Sequence, residues 1–243
     1  MQIIPVIDIR NGIAVRAVAG RRSEYRAIES LLTNSAEPAV VLKALHDRFS
    51  FEYCYVADLD AIERSQLNRC TIAEMSRTGV SPIVDAGVTT VEQIESLFEI
   101  GVQKVVLSSE SIDSMSRIAM LTSQFPPESL VFSIDLRQGQ LVANDPEWFG
   151  RLPIDLVRYV TARGIQELIV LDLAAVGSGN GIPTLPLCQN IKHTSPTIKI
   201  ISGGGVNSNH CIKAASDAGL DGLLIASALH DGRLSGDDIC EQC

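Results

Sequence analysis

The 243-residue chain predicts an α/β fold, a (β/α)8 barrel of the TIM type built from two homologous half-barrels. Three observations carry that prediction. Short apolar, β-rich runs alternate with longer segments of helical period. Residues 5–15, PVIDIRNGIAV, return as residues 132–142, FSIDLRQGQLV, with Ile7/Ile134, Asp8/Asp135, Arg10/Arg137, Gly12/Gly139 and Val15/Val142 identical. Residues 86–109 line up with residues 204–227, so the βα units of one half match those of the other in the same order. An open doubly wound sheet is the alternative for the alternation alone; two halves repeating in order favour closure.

The strands are expected at residues 3–9, 52–59, 82–85, 104–108, 130–136, 167–173, 198–202 and 222–226. Most are continuous apolar runs (KVVLS, ELIVLDL, IKIIS, GLLIA), as in parallel strands covered by helices on both faces. Helices are expected between them at residues 38–49, 66–78, 91–100, 115–124, 154–163, 185–192 and 209–218, with a weak one at 236–243. Thr90 with Gln93, and Ser208, read as N-cap signals. Gly79, Gly101, Gly164 and Gly219 each stand between a helix and the next strand, where a C-cap glycine belongs.

The chain is 46% hydrophobic with a formal net charge of −9. That length and composition suit one barrel domain over residues 1–243, with half-barrels at about 1–127 and 128–243. The acidity argues against a nucleic-acid partner or an anionic membrane surface. It leaves room for a phosphorylated small molecule, which local amides hold whatever the net charge. The start on an apolar strand, without a leader pattern, leads to the expectation of a cytoplasmic protein. The six cysteines are scattered and read as reduced thiols; Cys240 and Cys243 form a lone C-x-x-C without a second pair. No metal-ligand spacing occurs, so no metal is expected. No signal of oligomeric state is present.

Loops after the strand C-termini build the active site of such a barrel. Asp8 and Asp135 end the first and fifth strands, across the ring from each other, and two carboxylates facing one substrate suit general acid–base catalysis. The run SGGGVNS after the seventh strand, with Ala226 and Ser227 after the eighth, predicts a phosphate cradle of Gly203, Gly204, Gly205, Ala226 and Ser227. The repeat places a matching site after the third and fourth strands. There Asp85 stands where the other half has Gly203, and its carboxylate would repel phosphate; Ser108 and Ser109 remain as hydroxyl donors. Asp58, Asp85, Ser108, Ser109, Asp172, Gly177 and Ser178 are the expected substrate contacts, hydrogen bonds to loop amides being the equal alternative for Asp58, Asp60 and Asp172, with residues 177–181 (GSGNG) as a lid or clamp. Asp60 is a candidate beside Asp58, and Trp148 is a candidate for stacking on a base or sugar. Of the four histidines only His230 falls near the mouth. No lysine falls at a strand C-terminus, which argues against Schiff-base chemistry on the chain.

The segments IIPVIDIRNG, YVADLDA, VFSIDLRQG, SGGGVNS and IASALHDG together resemble the HisA/HisF family of histidine biosynthesis over almost the whole chain, and its isomerase branch more than its cyclase branch. The resemblance implies an Amadori-type aldose–ketose rearrangement of a phosphorylated aminosugar, with Asp8 as base at the sugar C2, Asp135 as acid at the ring oxygen, and no cofactor. The chain departs from the family pattern at Asp85–Thr89, at Ser108 and Ser109, at the strand-5 loop (Asn144–Pro146), and at Leu171, Ala175 and Val176, positions that are polar in the family. These departures lead to the expectation of a divergent paralogue, for which the resemblance to such paralogues implies one-carbon cofactor biosynthesis of the tetrahydromethanopterin type. The alternatives are a phosphate-ligand-binding protein without efficient turnover, and the histidine-pathway isomerase itself.

Overall fold

In the computed structural model, which describes residues 1–240, eight parallel strands close into a barrel. They are β1 (Gln2–Arg10), β2 (Tyr53–Asp58), β3 (Ser81–Asp85), β4 (Lys104–Ser108), β5 (Leu130–Arg137), β6 (Glu167–Asp172), β7 (Lys199–Gly203) and β8 (Gly222–Ile225). Each pairs with the next, and β8 returns to β1 with Gln2–Pro5 in register against Gly222–Ile225. The sheet therefore has no open edge, and β1 and β5 stand half a turn of the ring apart.

The apolar runs are explained by two buried faces. One residue from each strand (Ile4, Tyr55, Ile83, Val106, Val131, Ile169, Ile201, Leu224) fills the interior. Their neighbours one step along, such as Ile3, Cys54, Val84, Val105, Phe132, Leu168, Ile200 and Leu223, pack outward against the helices. A side-chain period of two with both faces covered leaves no polar position until the strand ends. Most polar residues of the strands consequently stand near the strand ends, with the carboxylates of Asp58, Asp85, Asp135 and Asp172 at or near the C-terminal one.

Helices follow the strands near the expected places. Thr90 and Gln93 form a complete capping box at the start of Val91–Phe98. Ser208 precedes Asn209–Asp217 but makes no side-chain cap bond. A short helix that was not expected, Leu59–Arg64, precedes Arg69–Met75, which takes the place expected at 66–78. The first begins directly at the end of β2 because the Asp58 carboxylate accepts from the Ala61 amide. The C-terminal helix spans Gly236–Cys240, and the Cys240/Cys243 pair extends outside the described residues.

Two antiparallel hairpins continue β1 and β5 beyond the barrel. Ile13–Arg16 folds back on β1, and Gln140–Leu141 on β5. Their turns are Asn11–Gly12 and Gln138–Gly139, with φ of 52° and 75°, and of 54° and 76°. Two successive positive φ angles make the turn whose twist matches the strands, and glycine supplies the second at no steric cost. Among the described residues no helix is long and apolar enough to cross a membrane.

Candidate active site

The largest cavity lies at the C-terminal mouth of the barrel and is lined by residues of both halves, among them Asp8, Tyr55, Asp85, Asp135, Gly204 and Ser227. Asp8 sits where β1 leaves the barrel, and its carboxylate has no hydrogen-bond partner among the described residues. Burial pushes its pKa up to about 7, against the pull of the nearby Arg22 guanidinium. Asp135 is buried on β5 and well supplied with donors: Ser108 Oγ at 2.6 Å, Ser133 Oγ at 2.8 Å, and Ser109 Oγ and the Glu110 amide each at 3.4 Å. Burial raises its pKa, and the Ser108 and Ser133 hydroxyls oppose that rise. The two carboxyls thus meet the same cavity from different surroundings, one bare and one dressed in hydroxyls.

A third carboxylate shares the mouth. Asp85 Oδ1 accepts from the Gly87 amide at 3.1 Å and Oδ2 from the Tyr55 hydroxyl at 3.3 Å. Burial, with the charge of Asp135 adding to it, pushes Asp85 up to about 7. Tyr55 projects from the middle of β2 among all three acids, and burial together with their charges drives its pKa well above the ordinary range.

The long connection after β1 brings arginine over these acids. Arg22 pairs with Glu110 at 2.8 Å and with Glu63 at 3.8 Å, and Arg10 reaches Glu63 at 3.2 Å and the Arg22 carbonyl. The loop after β6 is fastened to the same connection: the Ala19 amide donates to Val176 O at 2.7 Å. Gly177, at φ 71°, lies so close to Ala17 O that no Cβ fits there. Residues 177–181 are also held by the Gly181 amide on Gly205 O at 2.9 Å, so the expected lid is pinned at both ends.

The loops after β7 and β8 bring glycines and backbone amides to the mouth. Gly204, Gly205, Ala226 and Ser227 line the mouth, and the amides of Gly205 and Ser227 donate to no backbone acceptor among the described residues. Gly203 is set apart from them. It lies one position back inside β7, and a Cβ there would come within 2.7 Å of the Leu224 side chain and carbonyl, so its glycine serves strand packing.

Several expected substrate contacts have other duties. Asp58 is fully buried, capping Leu59–Arg64 and accepting from the Asn68 amide at 2.7 Å. Asp172 accepts from the Gln138 and Gly139 amides at 3.1 and 2.8 Å, and Asp60 from the Asn11 amide at 2.5 Å. These acids end β2 and β6 or follow them, and they hold the two hairpin turns. Ser108 and Ser109 face Asp135 rather than the open cavity. Ser178 accepts from the Asn180 amide and is not part of the lining, whereas Gly177 is. Trp148 is buried away from the mouth, donating to Met115 Sδ and packing edge-on against Tyr159. Tyr55, Arg22 and Glu110 were missed by the sequence reading. Tyr55 hides inside an apolar run, though a hydroxyl at an inward strand position is itself a signal. No group of histidine, cysteine or carboxylate side chains with metal-holding geometry occurs among the described residues.

A family model described as histidine biosynthesis protein matches residues 2–235 of this chain. A relative from Methanosphaera stadtmanae, named 1-(5-phosphoribosyl)-5-((5-phosphoribosylamino)methylideneamino) imidazole-4-carboxamide isomerase, is 29% identical over 241 residues, covering 98% of each chain. A relative of the same name from Syntrophomonas wolfei is 27% identical over 242 residues, covering 96% of this chain and 95% of its own. An uncharacterised protein of Methanocaldococcus jannaschii is 28% identical over 239 residues, covering 98% of this chain and 97% of its own. These matches correct two expectations drawn from the departures in sequence. Relatives aligned end to end carry the isomerase name repeatedly. That overturns both the one-carbon-cofactor paralogue and the ligand binder without turnover.

Proposed function

The chain belongs to the histidine biosynthesis protein family, and from that premise we propose that it is the aldose–ketose isomerase for which its full-length relatives are named. The observation that carries the proposal is the joint presence, in one mouth, of carboxyls on β1 and β5 and of an amide cradle after β7 and β8. The cradle takes one phosphate of a bis-phosphoribosyl substrate, because free amides converging on a helix start favour an anion. Arg137, which lines the mouth without an ion pair among the described residues, and Arg22 supply positive charge for the other phosphate.

In this reading Asp135 gives a proton to the ring oxygen of the aminosugar, and the C1–O bond breaks to leave an iminium at C1. Asp8 removes the C2 proton, the electron pair flows to the nitrogen, and the enolamine returns as the ketose with C1 reduced to a methylene. No electrons leave the substrate, so no external oxidant or reductant enters. A base near pH 7 is matched to such a step, which agrees with Asp8 at about 7.

Incubation with the substrate named for the relatives tests this. Wild-type turnover is expected, with kcat falling about 1,000-fold or more in Asp8→Asn and in Asp135→Asn. In D2O, the Asp8→Asn variant is also expected to stop deuterium entering the C1 methylene of the ketose. Absence of turnover by the wild-type protein overturns the reading.

A further inference from the structure

We propose that His230 is a positioning residue for Asp8, acting through one water molecule held in a second, smaller cavity behind the mouth. The proposal rests on the isomerase reading only for what Asp8 does in turnover. The cavity is lined by Asp8, Arg16, Ser227 and His230 together with apolar side chains, among them Val6, Val15 and Ile28. Its volume is about 10 Å3, room for the centre of a single water.

Two groups on its wall lack partners. His230 is 2% exposed; its Nδ1 meets Ser30 Oγ at 3.0 Å, while its Nε2 is buried with no hydrogen-bond partner among the described residues. Asp8, which also lines the cavity, has no side-chain hydrogen bond among the described residues. A buried ring nitrogen left unpaired costs about 1–3 kcal/mol, so such atoms almost always have a partner. A water between them satisfies both, with Ser227 as a third neighbour.

The direction of the effect does not depend on the tautomer. Burial holds His230 neutral, with a pKa pushed down to about 4. If Nε2 carries the proton, it donates to the water; if Nδ1 does, Nε2 accepts from it. Either way the water keeps a hydrogen to donate to Asp8, which favours the ionised carboxylate and fixes its orientation. The other groups acting on Asp8 are Arg22 from the connection after β1, which lowers its pKa, and Tyr25, Cys54 and Tyr55, whose own titrations it influences. Asp231 and Arg16 act on His230, the first raising its pKa and the second lowering it.

The test is a carboxyl-carbon NMR titration of Asp8, with kcat followed against pH, in the wild-type protein, His230→Phe and His230→Gln. His230→Phe is expected to raise the Asp8 midpoint by about one pH unit and to move the acid limb of kcat by the same amount with KM unchanged. His230→Gln, whose amide still reaches the water, is expected to restore most of both. A folded His230→Phe protein with an unmoved Asp8 midpoint overturns the proposal. The titration needs no turnover. A wild-type protein that is inactive yet shows Asp8 responding to His230 therefore ends the isomerase reading and supports this one. A high-resolution crystal structure of the unaltered protein decides the matter without any variant. Ordered density within hydrogen-bond reach of both His230 Nε2 and Asp8 is expected, and a dry cavity overturns the proposal.

Discussion

The two halves of the barrel rim treat the same backbone positions in opposite ways. After β7 and β8, the amides of Gly205 and Ser227 point into the mouth unused. After β3 and β4, their counterparts are already taken. The Gly87 amide binds the Asp85 carboxylate at 3.1 Å and the Ser109 amide binds Ser133 O at 3.0 Å; the next amide, of Glu110, binds Ser108 Oγ at 3.1 Å. One rim leaves amides unpaired, and the other satisfies its own internally and adds two carboxylates. Free donors are thus a property of the local sequence rather than of the fold, and one carboxylate at a strand end is enough to consume them.

The sharpest way to break this contrast is to put a carboxylate in the open rim. Gly204→Asp suits the left-handed backbone there, at φ 85°, better than most substitutions. It is expected to raise KM for the phosphorylated substrate by about 100-fold through charge repulsion in a partly buried site, read by steady-state kinetics and by loss of inorganic phosphate binding.

The reverse change, Asp85→Asn, tests the closed rim through stability. Asp85 has a folded pKa of about 7, raised from 3.8. Between those values the folded state holds a proton that the unfolded state has lost. Its stabilising effect is therefore full below about pH 4 and disappears as pH rises through 7. Asp85→Asn is expected to raise stability by roughly 2 kcal/mol at pH 8 and by little at pH 4; a denaturant series at both pH values checks this, and equal effects would contradict it.

Ser108→Ala removes the 2.6 Å donor to Asp135. It is expected to push the Asp135 pKa further up and move the alkaline limb of kcat upward by about one pH unit, since Asp135 then keeps its proton longer. The smallest effect is expected from Glu110→Gln, which frees Arg22 from a partly exposed ion pair. A gain in phosphate affinity of a few-fold at low salt, vanishing at high salt, is the expected outcome by titration calorimetry.

The barrel could be read from the chain because buried parallel strands leave a composition signature, and Asp8 and Asp135 stood out because their strand repeats. The hairpins went unread although Asn11–Gly12 between apolar runs is a strong turn signal. That omission explains why Asp172 was taken for a ligand contact, and the unread helix at Leu59–Arg64 explains the same for Asp58. A carboxylate at a strand end has the same sequence appearance whether it faces a ligand or a neighbouring loop's amides, and only the hairpin turn near Asp172 and the short helix started by Asp58 distinguish the two. Trp148 shows the same limit: its loop is on the rim, but its ring turns under it. Arg22 and Glu110 gain their meaning from a pairing across 88 positions of sequence, which no local pattern records.

The contact of Gly177 with Ala17 has a consequence for how such a mouth can change. It ties a loop of the second half to one of the first at a point where not even a methyl group fits. Neither loop can be lengthened, shortened or regrafted alone without losing the other's seat. For anyone redesigning this rim the two loops are a single heritable part, to be exchanged together or left in place.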